Sequence, residues 1–261
     1  MAPKEKIRAD ELLVRLGLCP SRSQALSLIM AGRVHGPKGE RVEKGGQFFP
    51  LETILALTPA PRYVSRAGHK LAGALEELGI DPSGLNALDV GASTGGFTDC
   101  LLQAGAATVT AVDVGRGLMD FCLRNDQRVT LVENLNARNI DQVEPSRLKA
   151  PFDLAVADLS FISLTLILPK LSPLLRPGGQ ILAMVKPQFE VGRHQVGKGG
   201  LVKDPELIKA AVDKISALGP TLDPPFLETG RSYSRLTGKD GNQEVFLLFS
   251  PSLRVNSRPL A

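Results

Sequence analysis

The sequence predicts an α/β protein with a mostly parallel sheet, preceded by a small α+β domain. From about residue 63 onward, strand-like apolar runs alternate with helix-like runs, the pattern of a parallel sheet with helices on both faces. The run QILAMVK at 180–186 is almost continuously apolar, as expected of a strand that helices cover on both sides. The segment LDVGASTGGFTD at 88–99 leads from a strand through a glycine-rich turn into a helix.

The composition excludes several classes of protein. Of the 261 residues, 43% are apolar and 22% are charged, which allows a sizeable core and excludes a disordered chain. The three cysteines (Cys19, Cys100 and Cys122) have no paired spacing, so we expect neither a disulfide framework nor a zinc finger. There is no signal peptide and no stretch of about 18 apolar residues, so we expect a cytoplasmic protein that does not span a membrane.

The N-terminal domain is expected to contain two short helices and a few short strands. The run RADELLVRL places Leu12, Leu13 and Leu16 on one helical face, and Ser21 is the predicted N-cap of a second helix. Residues 1–60 hold nine Lys and Arg against six Asp and Glu, so most of the net charge of +4 lies in this segment. A basic excess is typical of a surface that meets nucleic acid.

A proline-rich stretch separates this domain from the rest of the chain. TPAPR at 58–62 has two prolines in five residues, which is typical of a linker. We therefore predict a first domain at 1–58, a linker at 59–62, a second domain at 63–251 and a C-terminal tail at 252–261.

Hydrophobic periodicity and glycine or proline breaks place the elements of the second domain. Helices are predicted at 67–78, 96–103, 118–123, over a segment that ends at 175, and at 204–218; strands are predicted at 86–90, 107–114, 129–133, 152–159, 180–186, and near 225–230 and 244–249. A PGG turn at 177–179 is expected to precede the strand at 180–186.

The glycine-rich turn indicates a nucleoside-cofactor site. Its spacing is G-x-x-x-G-G, which matches neither the G-x-G-x-x-G of dinucleotide-binding folds nor a phosphate-binding P-loop. Asp113 ends the next strand, 24 residues after Asp89, where a carboxylate can accept both hydroxyls of a ribose. Without a pyrophosphate fingerprint, S-adenosylmethionine fits better than NAD. The alternative is an ordinary tight turn in an unrelated nucleotide-binding fold.

Charged residues end two of the predicted strands, at the sheet edge where ligands bind in open α/β folds. Asp158 lies at the end of a strand, in VADLSF, and Lys186 ends the strand that contains AMVK. Burial of an amine disfavours its charged form, so Lys186 is a candidate general base. Lys70 and Glu244 are consistent with the same site. A purely structural interpretation is also open. Lys70 could be a solvated helix lysine, Glu244 an exposed edge residue, and Lys186 a lysine whose stem covers apolar surface.

Two sets of motifs resemble known families. RADELLVRLGLCPSRSQALSLIMAGRV resembles the RNA-binding domain of the ribosomal-protein-S-four type. YVSRAGHKL, LDVGASTGGFTDCLL, VADLSFISL, VKPQFE and GNQEVFLLF together resemble the TlyA family of FtsJ-like RNA methyltransferases, whose members are also named hemolysin A. The resemblance runs from about residue 5 to 250, with the motifs in family order.

The resemblance implies a fold, a reaction and a set of residues. The implied fold is a Rossmann-like class I S-adenosylmethionine-dependent methyltransferase with a seven-stranded, mostly parallel sheet. The implied reaction is 2′-O-methylation of ribosomal RNA, typically of cytidines in both subunits. The implied catalytic tetrad is Lys70, Asp158, Lys186 and Glu244.

We assign further contacts on the same basis. Cofactor contacts are predicted at Gly91, Ala92, Ser93, Thr94, Gly95, Gly96, Phe97, Asp113, Val114, Asn134 and Asp158. RNA contacts are predicted at Arg8, Arg22, Arg33, Arg62, Arg66, Arg193 and Lys198. The expected partner is ribosomal RNA or a ribosomal subunit, and a homodimer is left open. No metal is expected, because His35, His69 and His194 show no ligand spacing.

Three other functions are weighed against this one. A base-amine methyltransferase would carry two prolines at the fourth strand, where this chain has Asp158-Leu159-Ser160-Phe161. An RNA-binding adaptor without catalysis would not need the glycine turn and the four charged residues. A membrane-lytic protein would need a spanning or strongly amphipathic basic segment, which the sequence lacks.

The segment 187–204 is read either as a loop that closes over RNA or as a plain surface loop.

Overall fold

The computed structural model describes residues 5–59, 61–238 and 240–252. The chain forms two compact units, residues 1–62 and 63–261. Of the predicted linker, residue 60 lies outside the described residues, as do residues 253–261 of the predicted tail. The assignment of 59–62 to a linker and of 252–261 to a tail stays a prediction.

The N-terminal unit has two helices and four short strands around one small core. In chain order these are β1 (Lys6–Arg8), α1 (Ala9–Arg15), α2 (Arg22–Met30), β2 (Val34–His35), β3 (Phe48–Pro50) and β4 (Ala56–Leu57). β1 pairs with β3 and β2 with β4, both antiparallel. Ser21 caps α2 as predicted, since its side chain accepts from the Gln24 N–H. Leu12 and Leu13 are fully buried, but Leu16, one residue beyond the end of α1, is 37% exposed.

The C-terminal unit is built on a seven-stranded sheet. Its elements are α3 (Arg66–Leu78), β5 (Asn86–Val90), α4 (Gly96–Gln103), β6 (Thr108–Val112), α5 (Phe121–Arg124), β7 (Val129–Val132), α6 (Pro145–Leu148), β8 (Phe152–Ala157), α7 (Leu168–Leu171), β9 (Leu175–Val185), α8 (Pro187–Glu190), α9 (Pro205–Ser216), β10 (Phe226–Tyr233) and β11 (Val245–Pro251). The strand order is β10-β11-β9-β8-β5-β6-β7. β5 to β9 are parallel, and β11 is antiparallel to β9 and to β10. The predicted fold class is confirmed.

Alternate residues of the central strands face opposite sides of this sheet, and both sides are covered. Leu88 and Val90 of β5 belong to one apolar cluster with α7 and α9. Ala87 of β5 belongs to another cluster with α3 and α4. The chain leaves β5 toward β6 and β7 on one side and returns to β8 and β9 on the other. This reversal leaves a crevice at the carboxyl ends of β5 and β8, where ligands bind in open α/β sheets.

Two predicted elements differ from the structure because of proline and glycine. The helix predicted to end at 175 is replaced over 164–174 by three short helical turns, since Pro169 and Pro173 each start a new turn instead of continuing one. The PGG segment does not precede β9 as a turn but lies within it. There the register against β8 slips between Phe152 and Leu154, and Gly178 takes a φ of 88°. The helix predicted at 118–123 is a single turn, which Asp120 caps.

Candidate active site

Two adjoining cavities lie at the carboxyl ends of the central strands. The first, of about 610 Å³, is lined by Lys70, Asp158, Lys186 and Glu244 together with the glycine turn. The second, of about 500 Å³, is lined by Asp113, Val114, Leu118, Asn136, Arg138 and neighbouring residues. Both share Gly91, Ser93, Asp158, Ser160 and Phe161.

The glycine turn brings the end of β5 against the end of β8. Gly91 has a φ of 89°, which favours glycine, and a Cβ built there would lie 2.4 Å from the carbonyl oxygen of Asp158. Only a residue without a side chain fits this approach. α4 begins directly beyond the turn, at Gly96, so its N-terminal end adjoins the first cavity.

Asp113 ties the next strand to this turn. It follows β6, and its Oδ2 accepts from the Ser93 N–H at 2.7 Å while its Oδ1 accepts from the Gly115 N–H at 2.6 Å. Each carboxylate oxygen has two lone pairs, so each can still accept from a ligand hydroxyl. Asp113 and the exposed Val114 line the second cavity, as their assignment to the cofactor requires.

Two residues assigned to the cofactor line neither cavity in the described structure. Gly95 instead meets α5: a Cβ there would lie 2.4 Å from Leu123 Cδ1. Asn134 takes a left-handed conformation, with a φ of 58°, and the chain beyond this bend carries Asn136 and its neighbours to the second cavity. The geometry favours Asn136 over Asn134. The other assigned residues (Gly91, Ala92, Ser93, Thr94, Gly96, Phe97, Asp113, Val114 and Asp158) line one cavity or both.

The four charged residues form two ion pairs in the first cavity. Lys186 Nζ lies 2.6 Å from Asp158 Oδ1 and donates to Ser160 Oγ at 3.0 Å. The contact to Oδ1 is an ion pair without hydrogen-bond geometry, so this buried oxygen has no hydrogen bond. Lys70, from α3, pairs directly with Glu244, which precedes β11 and is 174 residues away in the chain. All four side chains are less than a fifth exposed.

A fifth carboxylate is buried below the turn. Asp89 of β5 is fully buried, and burial raises the pKa of its carboxyl group to about 7, against the opposing effect of a hydrogen bond from Thr98 Oγ1 at 2.6 Å. Asp89 Oδ1 has no hydrogen-bond partner. The protonated, neutral form of this side chain is therefore favoured up to neutral pH.

The arginines assigned to RNA in the N-terminal unit all make intramolecular contacts. Arg8 and Arg22 both donate to the buried Asp10, each with a contact at 3.0 Å. The hydrogen bond from Arg8 is the main reason that the pKa of Asp10 falls to about 2. Arg33 donates twice to the carbonyl oxygen of Thr58, at 3.0 and 3.1 Å. Arg8 and Arg22 still expose 39% and 54% of their side chains, so they can contact a ligand as well as stabilise the unit.

The remaining residues assigned to RNA contacts are exposed. Arg62, Arg193 and Lys198 are exposed. Arg66 lines the first cavity and donates to the carbonyl oxygen of Thr237 at 3.2 Å.

Sequence reasoning missed several lining residues. Phe161 is 88% exposed, has a φ of 65°, and its ring centroid lies 5.2 Å from that of Phe189. Gln188 also lines the first cavity. These residues directly follow β8 and β9, so the rule that ligands meet the carboxyl ends of parallel strands could have found them. Thr237, in the loop before β11, carries no such signal.

Comparison with known proteins identifies the family. Residues 63–250 match the family model described as FtsJ-like methyltransferase, and residues 7–35 match that of the S4 domain. The first match spans well over half of the chain. This chain belongs to the FtsJ-like methyltransferase family. The glycine turn and the two ion pairs described above thus lie in a methyltransferase domain.

Relatives of this FtsJ-like methyltransferase include TlyA proteins, which confirms the resemblance found in the sequence. It is 44% identical over 243 residues to the 16S/23S rRNA (cytidine-2′-O)-methyltransferase TlyA of Mycobacterium tuberculosis, covering 93% of this chain and 89% of that one. It is 38% identical to Hemolysin A of Brachyspira hyodysenteriae, covering 93% and 99%. A solved structure from Streptococcus thermophilus that carries the name hemolysin shares 39% identity with a TM-score of 0.69, covering 96% of this chain and 90% of that one.

Within residues 5–59, 61–238 and 240–252, no helix is long and apolar enough to cross a membrane. In the same part of the chain, no group of three or more His, Cys, Asp or Glu side chains is arranged to hold a metal ion.

Proposed function

We propose that this protein transfers the methyl group of S-adenosylmethionine to the ribose 2′-hydroxyl of a cytidine in ribosomal RNA. One observation carries the proposal: two nearly buried lysine–carboxylate pairs, Lys186–Asp158 and Lys70–Glu244, line a cavity that adjoins the glycine turn. The activity for which the Mycobacterium tuberculosis relative is named supports the choice of substrate.

The residues of the second cavity fit S-adenosylmethionine. Gly91 lets backbone line both cavities at a point where a Cβ would meet the carbonyl oxygen of Asp158. Asp113 has lone pairs available for two ribose hydroxyls, and Asn136, whose amide can donate and accept hydrogen bonds, lines the second cavity. When bound, S-adenosylmethionine supplies an electrophilic methyl group on a sulfonium. Asp158 lines both cavities and so lies at the junction of cofactor and substrate sites.

Lys186 is the proposed general base. A ribose hydroxyl is a weak nucleophile and must lose its proton as the new O–C bond forms. Only a neutral amine can accept that proton, so the ammonium group of the ion pair must first release one proton. Asp158 and Ser160 hold the amine in place, at 2.6 and 3.0 Å from Nζ. The proton that leaves the hydroxyl then resides on Lys186, next to the carboxylate of Asp158.

Lys70 and Glu244 complete the site as positioning groups. Their pair joins α3 to the start of β11 across the cavity. Glu244 neutralises Lys70, which would otherwise be a nearly buried unpaired cation. The pair therefore holds a fixed polar wall against which the ribose is oriented.

RNA affinity is assigned to both units. Arg8, Arg22 and Arg33 belong to the N-terminal unit, whose residues 7–35 match the S4 domain. Arg62, in the predicted linker, ends the N-terminal unit, and Arg66, Arg193 and Lys198 present further cations in the methyltransferase unit. Phosphate contacts by such residues position RNA without reading its sequence. The expected substrate is ribosomal RNA or an assembled subunit, and the expected location is the cytoplasm.

Mapping of ribose methylation tests the proposal. Ribosomal RNA and ribosomal subunits that lack the modification are incubated with the protein and isotopically labelled S-adenosylmethionine, and nucleosides are identified by mass spectrometry. The expected product is labelled 2′-O-methylcytidine, which the Lys186→Ala variant should form about 10²–10⁴-fold more slowly. Label on a base would instead establish a base methyltransferase. RNA binding without any cofactor binding in calorimetry would establish an adaptor.

A further inference from the structure

A buried glutamate lies four residues after Lys186, outside the two cavities. Glu190 ends α8, and its side chain is 1% exposed. Its Oε2 accepts from Ser163 Oγ at 2.6 Å, and its Oε1 accepts from the Leu164 N–H at 2.8 Å. Burial raises the pKa of this carboxyl group, and the hydrogen bonds oppose that effect.

A third segment joins the same residue. Lys214 of α9 donates from Nζ to the Glu190 carbonyl oxygen at 2.9 Å, and the same Nζ lies 3.6 Å from Glu190 Oε2. Lys214 keeps 48% of its side chain exposed, so it can balance the buried charge while remaining partly hydrated. One glutamate therefore links α8, the segment after β8, and α9.

Two of these linked segments carry the catalytic pair. Residues 158–164 follow β8 and begin with Asp158; residues 186–190 follow β9 and begin with Lys186. At the cavity the two segments meet through the Lys186–Asp158 ion pair and the Phe161–Phe189 ring contact. Below it they meet through Glu190. The separation of the two segments determines whether Lys186 Nζ reaches Asp158 and Ser160.

An apolar residue would fill the position of Glu190 without the cost of burying a charge. Apolar packing is not directional. A carboxylate that accepts two directional hydrogen bonds sets the distance and orientation of two backbone segments. The hydrogen bond to the Leu164 N–H acts on the backbone itself.

We propose that Glu190 is a positioning residue for methyl transfer, which sets the spacing between segments 158–164 and 186–190 so that Lys186 stays in contact with Asp158 and Ser160. The inference rests on the proposed function. Glu190 touches no reacting group, and it acts through Lys186.

Three variants of the full chain test this role. Glu190→Ala removes both hydrogen bonds. Glu190→Gln can keep both, because its amide oxygen accepts from the Leu164 N–H and its NH₂ group donates to the Ser163 hydroxyl. Glu228→Gln is the control, since Glu228 is an ion-paired glutamate with a side chain only 18% exposed, but its partner is Arg231 on the edge strand β10. Single-turnover methyl transfer and calorimetric binding of S-adenosylmethionine are measured for each.

We expect Glu190→Ala to lower the single-turnover rate by roughly 10- to 100-fold, the effect of a misplacement of about 1 Å at a reacting group. Cofactor affinity should not change, and Glu190→Gln should recover most of the rate. A wild-type rate in Glu190→Ala would overturn the proposal, as would an equal loss in Glu228→Gln or no recovery in Glu190→Gln. If Glu190→Ala does not fold, Ser163→Ala removes one of the two hydrogen bonds, and an unchanged rate in that variant is then the contradicting result.

A readout independent of methyl transfer separates this inference from the proposed function. Acylation of Lys186 by a lysine-selective reagent, followed by mass spectrometry, reports how firmly its amine is held. We expect faster acylation of Lys186 in Glu190→Ala than in wild type or Glu228→Gln; equal rates would overturn the positioning role. A wild-type protein that transfers no methyl group would contradict the proposed function alone, because the acylation comparison still applies.

Discussion

For single residues, the proposed chemistry depends on charges that are buried in pairs. The side chains of Lys70, Asp158, Lys186 and Glu244 are 4–17% exposed, and each cation contacts one carboxylate. A nearly buried charge is tolerated because its partner balances it, so removal of one member leaves the other uncompensated. Substitutions that keep the charge but change the proton chemistry are therefore the most informative.

Lys186→Arg separates a base from an electrostatic anchor. The guanidinium keeps the positive charge opposite Asp158 but cannot give up a proton near neutral pH. We expect the single-turnover rate to fall by about 10²–10⁴-fold, the usual contribution of a positioned base, and nearly as far as in Lys186→Ala. Lys209→Arg, on the exposed face of α9, is the control and should be unaffected. A near-normal rate in Lys186→Arg would show that the lysine only anchors charge.

Asp89 should make stability depend on pH. Burial raises the pKa of its carboxyl group from 3.8 to about 7, so the folded state binds this proton more tightly than the unfolded state. The stabilisation is complete below the unfolded pKa and is lost as the pH rises through about 7. We expect the free energy of unfolding of wild type, relative to Asp89→Asn, to fall between pH 4 and pH 7 in urea titrations. A difference between the two proteins that is constant over this range would refute the assigned protonation.

At the scale of elements, the site is made by the contact between the turn after β5 and the end of β8. Gly91 is the point of contact, and the carbonyl oxygen it approaches belongs to Asp158. The same turn bonds to Asp113 through the Ser93 N–H. The ends of three neighbouring strands are thus held in one arrangement.

Gly91→Ala should abolish cofactor binding. The added Cβ would lie 2.4 Å from a backbone atom, at a φ of 89°, so the end of β8 must move. Gly84→Ala is the matched control, because Gly84 also has a positive φ, 73°, but nothing lies within 4 Å of its added Cβ. Both variants carry a strain of about 1 kcal/mol or more, and Gly91→Ala alone should lose calorimetric binding of S-adenosylmethionine. Equal affinities in the two variants would contradict this placement of the cofactor.

In the molecule as a whole, we assign methyl transfer to one compact unit and most of the RNA affinity to the other. The two cavities and both ion pairs lie within residues 63–261, and the residues that match the S4 domain lie within 1–62. In the N-terminal unit, Arg8 and Arg22 also balance the buried Asp10. Alanine at either arginine would therefore weaken the unit as well as remove a cation, which makes single arginine substitutions ambiguous tests of RNA binding.

Removal of residues 1–62 avoids that ambiguity. We expect the remaining unit to bind S-adenosylmethionine as the full chain does, to bind RNA more weakly and to lose RNA methylation. RNA affinity of the full chain should fall steeply with salt, because phosphate contacts release counterions, and the truncated chain should show a shallower dependence. Lys186→Ala in the full chain is the control, with RNA binding intact. Salt-independent binding, or an equal dependence in both chains, would refute the division of labour.

The order and type of the main elements, and the edge of the sheet where the candidate site lies, could be predicted from the sequence. Alternating apolar runs predict strands, and 3.6-residue periodicity predicts helices, because each pattern records which face of an element is buried. The glycine turn at 91–96 and the strand ends at Asp113, Asp158 and Lys186 were found from these local signals. Short elements such as α6 and α8 were missed, since a single turn is too short to show a period.

Contacts between side chains that are distant in the chain are known only from the tertiary structure. The pairing of Lys186 with Asp158 and of Lys70 with Glu244 depends on where distant segments cross. So does the finding that Asn136 lines the second cavity and Asn134 does not. The burial of Glu190 against Ser163, 27 residues earlier, has the same origin. A polar side chain follows no periodic pattern, because its partner is selected by distance and direction in space. Those are properties of the packed sheet and its helices, and neighbours in the chain do not specify them.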